Sequence, residues 1–186
     1  LPEGVRVIIP PLRMLVGAPP VTVFDYTKLV SADWITALGP SAIYVSSINK
    51  TIVGWYSVGT AGYKSSMVAA YDHATETWSE RVKVGNYLLP DDDHGAVSLC
   101  RDNDGYIYAF FGAHATPLDW AISNVPDDVS AWTPQTPLTV DQTGPRPVLV
   151  GSTIWMLTHN ATVLSRRVQS IRSGTPSGGV VTFGGL

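Results

Sequence analysis

Two of the four histidines sit where proton transfer would make chemical sense. His94 closes the run Asp91-Asp92-Asp93-His94, and His114 closes Gly112-Ala113-His114. Imidazole is the side chain whose ordinary pKa lies nearest neutrality, and a neighbouring carboxylate fixes its tautomer or raises that pKa. Two imidazoles on one face, with carboxylates behind one of them, can remove one proton and deliver another. The same residues also have an architectural reading, in which Asp92 and Asp93 hydrogen-bond loop amides and the two rings cap a hairpin. A third reading makes Asp91, Asp92, Asp93, His94 and His114 a site for a hard cation or a mixed nitrogen–oxygen site. Asp102-Asn103-Asp104-Gly105 starts like a calcium loop, but no Glu stands at its twelfth position, and a turn between strands explains it better. No phosphate-binding Gly loop, HExxH or Gly-x-Ser-x-Gly elbow occurs, and neither a metal nor a cofactor is expected.

What must bring His94 and His114 together is a hairpin. Gly95–Cys100 and Tyr106–Phe111 read as two strands joined by Arg101-Asp102-Asn103-Asp104-Gly105, with one histidine on each side of the open end. Ala42–Ser47 and Thr51–Ser57 form a second such pair around Ile48-Asn49-Lys50. Pro147–Val150 and Thr153–Thr158 form a third around Gly151-Ser152, whose Gly-first order suits a type II′ turn. Helical periodicity is scarce, and its best candidate is the short stretch Tyr26–Leu38, which stops at Gly39-Pro40.

The second strands TIVGWYS, YIYAFFG and TIWMLTH begin about fifty residues apart, a spacing typical of propeller blades. Further strand-like runs follow each hairpin: Ser66–Tyr71, then WAIS, then Thr162–Ile171. Trp78 and Trp132 close equivalent segments of the first two units. The fold expected is therefore all-β and propeller-like: about three blades of short antiparallel strands in an incomplete ring. The alternative is a β-sandwich with similar hairpins. Propellers usually close with four to eight blades, so other chains or blades are expected to complete the ring, a homo-oligomer among the possibilities. Residues 1–40 read as a Pro-rich N-terminal segment, 41–175 as the blades and 176–186 as a Gly/Ser-rich tail.

Composition agrees with short aromatic strands. Of 186 residues, 45% are apolar and only 15% charged, with 17 Gly, 14 Pro, 6 Trp and 8 Tyr. A net charge of −3 supplies no field for a phosphate backbone, so nucleic acid is not an expected partner. The lone Cys100 cannot form an internal disulfide and reads as a small buried hydrophobe. No run of eighteen apolar residues spans a membrane, and Leu1 in first place points to a processed or trimmed start. Asn49-Lys50-Thr51 and Asn160-Ala161-Thr162 fit the glycosylation pattern, which is frequent by chance.

Three stretches carry a family resemblance. They are MVAAYDHATETWSERV, the segment running from DDDH (91–94) through DGYIYAFFGAH (104–114) to ISNVPDDVSAW (122–132), and GPRPVLVGSTIWMLTHN. Over about residues 41–175 the chain resembles the BNR-4 type repeat proteins, a group that includes seven-bladed propeller lyases acting on ulvan. The resemblance implies that His94 and His114 match two histidines of those lyases, one transferring the proton and one positioning or neutralising substrate. Such a lyase removes the C5 proton of a uronic acid and expels the 4-linked sugar. It needs donors on the C6 carboxylate, a base near C5 and an acid for the leaving oxygen. The resemblance further implies a tyrosine and an arginine from the next blade. Gly144 stands where the tyrosine is expected and His159 where the arginine is expected, with Arg146 two residues away as a source of charge.

The sequence therefore supports a non-catalytic glycan-binding or assembly module, extracellular or virion-associated, such as part of a phage appendage. The alternative is a polysaccharide lyase, or a piece of one, using His94 and His114 with contributions from His159 and Arg146. The partner expected is a polysaccharide or surface glycan. Asp92, Asp93, Trp120 and Trp55 are expected to contact it, because aromatic faces stack on sugar rings.

Overall fold

The computed structural model describes residues 33–34, 41–58, 64–87, 97–112, 114–138, 142–160 and 169–185. Among them every regular element is a strand. β1 (Asp33–Trp34), β2 (Ala42–Val45), β3 (Lys50–Val58), β4 (Lys64–Asp72), β5 (Thr77–Trp78) and β6 (Val82–Tyr87) make the first sheet. β3 and β4 pair along their whole lengths, from Lys50↔Asp72 to Val58↔Lys64. β2 and β1 cover successive stretches of β3, and β5 and β6 cover successive stretches of β4, so six strands make four columns.

Next come β7 (Ser98–Arg101), β8 (Ile107–Phe111), β9 (His114–Thr116), β10 (Asp119–Ser123) and β11 (Trp132–Pro134). The second sheet has the order β11-β10-β8-β7, and β9 leaves it to join the third. That third sheet adds β12 (Gln142–Val150), β13 (Thr153–Asn160), β14 (Gln169–Gly174) and β15 (Gly184–Gly185), in the order β15-β14-β13-β12-β9. All pairings are antiparallel, and the arrangement is a propeller-like stack of three blades.

The three expected hairpins are present. Gly151 has φ +62° and Ser152 is not left-handed, as a type II′ turn requires. Trp78 and Trp132 occupy matching outer strands, as the repeat suggested. The helical reading of Tyr26–Leu38 is corrected where it can be seen: Asp33 and Trp34 pair with Ser57 and Tyr56 as a strand, and the rest lies outside the described residues. Of the expected strand Thr162–Ile171, β14 begins at Gln169, and 161–168 lies outside the described residues.

The middle blade is covered on both faces, which is why β8 is buried at every position instead of alternating. Leu99, Ile107, Ala109, Phe111 and Ala121 pack against Ile52, Val68 and Val84 of the first blade. Cys100, Tyr108, Phe110, Trp120 and Ile122 pack against Ile154 and Met156 of the third. Residues 176–185 fold back onto this second core, where Val181 is buried and Phe183 stands edge-on to Phe110 and Trp120.

Side chains at one end tie the blades together. Ser47 of the β2–β3 turn donates to Asp127, which also holds Arg101 through two bonds of 2.6 and 2.9 Å. The Asn103 amide donates to the Gly151 carbonyl at 2.9 Å, so the first turn of every blade lies at this end. Asp102 is 1% exposed and accepts from the Tyr106 amide and the Tyr108 hydroxyl, each at 2.8 Å. Burial, and then this bond, push the Tyr108 phenol well above its ordinary pKa. Asp102→Asn keeps one acceptor oxygen but turns an amide toward the phenol, which must rotate to accept. The expected loss is about 1.5 kcal/mol by urea denaturation; an unchanged midpoint would show that the carboxylate does not organise the turn.

Candidate functional site

β9 is where the middle blade hands on to the third. The connection between β8 and β10 reaches across and pairs with β12, Thr116 against Gln142 and His114 against Thr143. Thr116 Oγ1 donates to the Gly112 carbonyl at 2.6 Å and tightens this connection. On the other side of β12, Thr143 is paired with His159, and His159 with Gln169 of β14. One register row therefore runs His114, Thr143, His159, Gln169 across four strands. With strands 4.7–4.9 Å apart, the backbones of His114 and His159 lie about 10 Å apart.

Immediately after this row β12 is dislocated. The pairing jumps from Thr143↔His159 to Arg146↔Leu157, so Gly144 and Pro145 face the single residue Thr158. This is a β-bulge, and Gly144 supplies the left-handed step it needs, with φ +60°. Prolines are tolerated because, among the described residues, β12 beyond Thr143 is paired on one side only. The bulge opens a small pocket lined by Gly144, Arg146, Leu157, Thr158 and His159, with about 10 Å³ of free space, room for one water. Arg146 is exposed and His159 half-buried, while Gly144 and Thr158 are buried. A guanidinium fork and an imidazole beside the Thr158 side chain suit a carboxylate or sulfate, which accepts several charge-assisted hydrogen bonds.

The residues marked out in the sequence thus fall into three groups. Arg146 and His159 come together, with Gly144 between the strands that carry them. His114 joins through its backbone register, on a strand of the neighbouring sheet and not simply at the mouth of its own hairpin. His94, Asp91, Asp92 and Asp93 lie outside the described residues.

Trp120 and Trp55 are corrected as stacking surfaces for a sugar, because both are buried. Trp120 is 5% exposed, donates from Nε1 to the Thr136 carbonyl at 2.8 Å, and stacks on Phe110 at 5.8 Å and 10°. Trp55 is 4% exposed and packs with Val53 and Ala69. Thr143 and Thr158 escaped notice in the sequence, and only the strand register reveals them. The one signal for the pocket was a Gly-Pro-Arg-Pro run beside a strand, which reads equally well as a turn. Among the described residues, no three His, Cys, Asp or Glu side chains cluster to hold a metal ion. No helix among them is long and apolar enough to cross a membrane.

Comparison with known proteins sets this geometry beside others. The model of a family described as BNR repeat-containing family member matches residues 50–148. An ulvan lyase of Alteromonas sp. (strain LOR) is 30% identical over a region that takes in 35% of this chain and 18% of that protein. Two solved structures share the fold. One is a PL25 polysaccharide lyase, an ulvan lyase bound to -[GlcA(1-4)Rha3S]-, with TM-score 0.70 and 18% identity. The other is an ulvan lyase of the same PL25 family, with TM-score 0.70 and 19% identity. Each match covers 84% of this chain and 39% of the other, so the chain spans well under half the length of these relatives.

Proposed function

The chain belongs to the BNR repeat-containing family, and on that premise we propose that it binds an anionic polysaccharide across the mouth of the Gly144 pocket, against the Arg146 and His159 side chains at its rim, without cleaving it. The observation that carries this reading is the convergence of Arg146, His159 and Thr158 on one pocket beside the His114–Thr143–His159 row. A uronic acid or sulfated sugar presents an acid group for Arg146 and His159, and the relative bound to a glucuronic acid–rhamnose sulfate unit makes this the natural ligand class. Gly144 offers no side chain for a proton donor, and among the described residues no phenol lines the pocket. These features favour binding over elimination. The ligand would be met at a cell or particle surface.

A lyase is the competing reading. It is favoured by the family match, which takes in both His94 and His114, and by the placement of His114 in register with His159 through Thr143. The two separate cleanly in solution. Calorimetric titration with a glucuronic acid–rhamnose sulfate oligosaccharide should show binding that weakens as salt is raised, because charge pairing at an open site is screened. Arg146→Ala and His159→Ala should each weaken it about tenfold, the loss of one charge-assisted contact. Growth of the ultraviolet absorbance of a conjugated double bond, abolished in His94→Ala, would replace the binding reading with the lyase one. Unchanged affinity in both pocket variants would remove the pocket from the function.

A further inference from the structure

A second cluster lies at the opposite end of the blades. The Gly151 turn lies seven residue steps beyond Gly144 along β12, a distance of about 23 Å along an extended strand. The hydrogen bonds through Ser47, Asp127, Arg101 and Asn103 place the first-blade turn Ser46–Asn49 at the Gly151 end. There the register runs Tyr44↔Thr51, Thr51↔Tyr71 and Tyr71↔Trp78 across β2, β3, β4 and β5. Directly opposed residues of an antiparallel ladder share a face, so these side chains form one row about 14 Å wide.

His73 completes the row from the turn after β4. Its amide donates to the Asn49 carbonyl at 3.1 Å, and its Nε2 lies 2.8 Å from Thr51 Oγ1. The imidazole stands edge-on to Tyr44 and Tyr71, with ring centres 5.6 and 5.0 Å away, and Trp78 lies 5.2 Å beyond Tyr71. Four aromatic rings are thus in unbroken contact, and Tyr44 at their end is 60% exposed. Hydroxyl and amide groups adjoin the row: Thr51, which bonds the His73 ring, and Asn49, which accepts from the Tyr44 hydroxyl at 2.9 Å. The nearby Lys50 is neutralised by Asp72 at 3.3 Å.

We infer that this Tyr44–His73–Tyr71–Trp78 row is a second polysaccharide contact, one that reads the uncharged faces of sugar rings. Aromatic rings flanked by hydroxyls complement a pyranose, whose C–H face packs on the rings while its hydroxyls bond at the edge. The ion pair with Asp72 occupies Lys50, so this cation is not held out for an acid group. The ligand class rests on the reading proposed above, while the surface and its chemistry are separate from the Gly144 pocket. Together the two contacts let one chain grip a polymer at both ends of its blades, and avidity then exceeds either contact alone.

The test is calorimetric titration of the whole chain with an uncharged β-1,4-linked gluco-oligosaccharide and, separately, with the glucuronic acid–rhamnose sulfate oligosaccharide. Tyr44→Ala and His73→Ala should each weaken the uncharged probe about fivefold, while Tyr44→Phe, which keeps the ring, stays near wild type. Arg146→Ala should leave the uncharged probe unaffected. Thermal midpoints within a degree or so of wild type establish that these exposed substitutions leave the fold intact. Equal affinity of wild type and Tyr44→Ala for the uncharged probe overturns this inference and leaves the pocket reading standing. Absence of any binding to both probes overturns both.

Discussion

Trp120→Ala is expected to lose about 4 kcal/mol, the largest single loss among the substitutions considered, against a total of roughly 5–15 kcal/mol for a domain of this kind. The indole is 5% exposed and lies where the second and third blades meet, among Tyr108, Phe110, Ile122, Ile154, Met156 and Val181. It stacks on Tyr108 at 6.5 Å and on Phe110 at 5.8 Å, and Phe183 presses edge-on at 5.3 Å. Removing it opens a cavity that neither sheet can close, because both are pinned by their own ladders, and it strips the Thr136 carbonyl of its donor. Trp120→Phe, which fills much of the space, should lose roughly half as much. Cys100 supplies an independent readout from the same cluster. Burial pushes its thiol up to about 11, so at neutral pH it stays protonated and unreactive in the folded chain. Thiol labelling should be slow in the wild type and fast in Trp120→Ala. A variant with wild-type urea midpoint and wild-type labelling would return Trp120 to the list of surface residues.

That expectation also marks where the sequence could be read and where it could not. The hairpins were legible because each is local: two apolar runs and a turn of the right residues, as at Val150-Gly151-Ser152-Thr153. Trp78 and Trp132 were legible because the repeat places them at the same step. The exposure of Trp120 was not. In DWAIS every residue after Asp119 is buried, since sheets cover both faces, and alternation that would tell inside from outside disappears. β9 was hidden for a different reason. His-Ala-Thr is too short to carry a period, and its partner β12 begins twenty-six residues after the strand ends. The row of Tyr44, Tyr71, His73 and Trp78 was hidden by distance along the chain, because only the pairing of four strands makes neighbours of them. The candidate site was half legible: Arg146 and His159 stood out, while Thr143 and Thr158 acquired meaning from the register alone.

Gly144→Tyr puts the tyrosine implied by the family resemblance into the pocket, and it is expected to destabilise the chain by about 3 kcal/mol without creating a lyase. Gly144 has φ +60°, a conformation that costs a side-chain-bearing residue about 1–2 kcal/mol. It is buried in the bulge, and the adjoining space is about 10 Å³, enough for a water and far too little for a phenol ring. The ring must displace Arg146 and His159 or undo the bulge, and overpacking of that kind adds about 1–3 kcal/mol. If the bulge is undone, β12 slips by one residue against β13, and every side chain from Arg146 to Val150 changes face. Val148 and Val150, half exposed now, would turn inward, and the Met156 and Ile154 side of the sheet would lose its partners. His159→Arg alone should be mild, below about 1 kcal/mol, because the longer side chain can extend from the pocket rim into solvent. Urea denaturation of the two single variants and the double variant measures these differences, and incubation with a uronic-acid polysaccharide measures elimination. A Gly144→Tyr/His159→Arg double variant that folds like the wild type and eliminates would show that the bulge yields to a larger residue, and backbone geometry would then not be what keeps a tyrosine out of the pocket. Destabilisation confined to variants at position 144 would instead assign the missing tyrosine to backbone geometry: in this chain the bulge that shapes the pocket also excludes the side chain the chemistry would need.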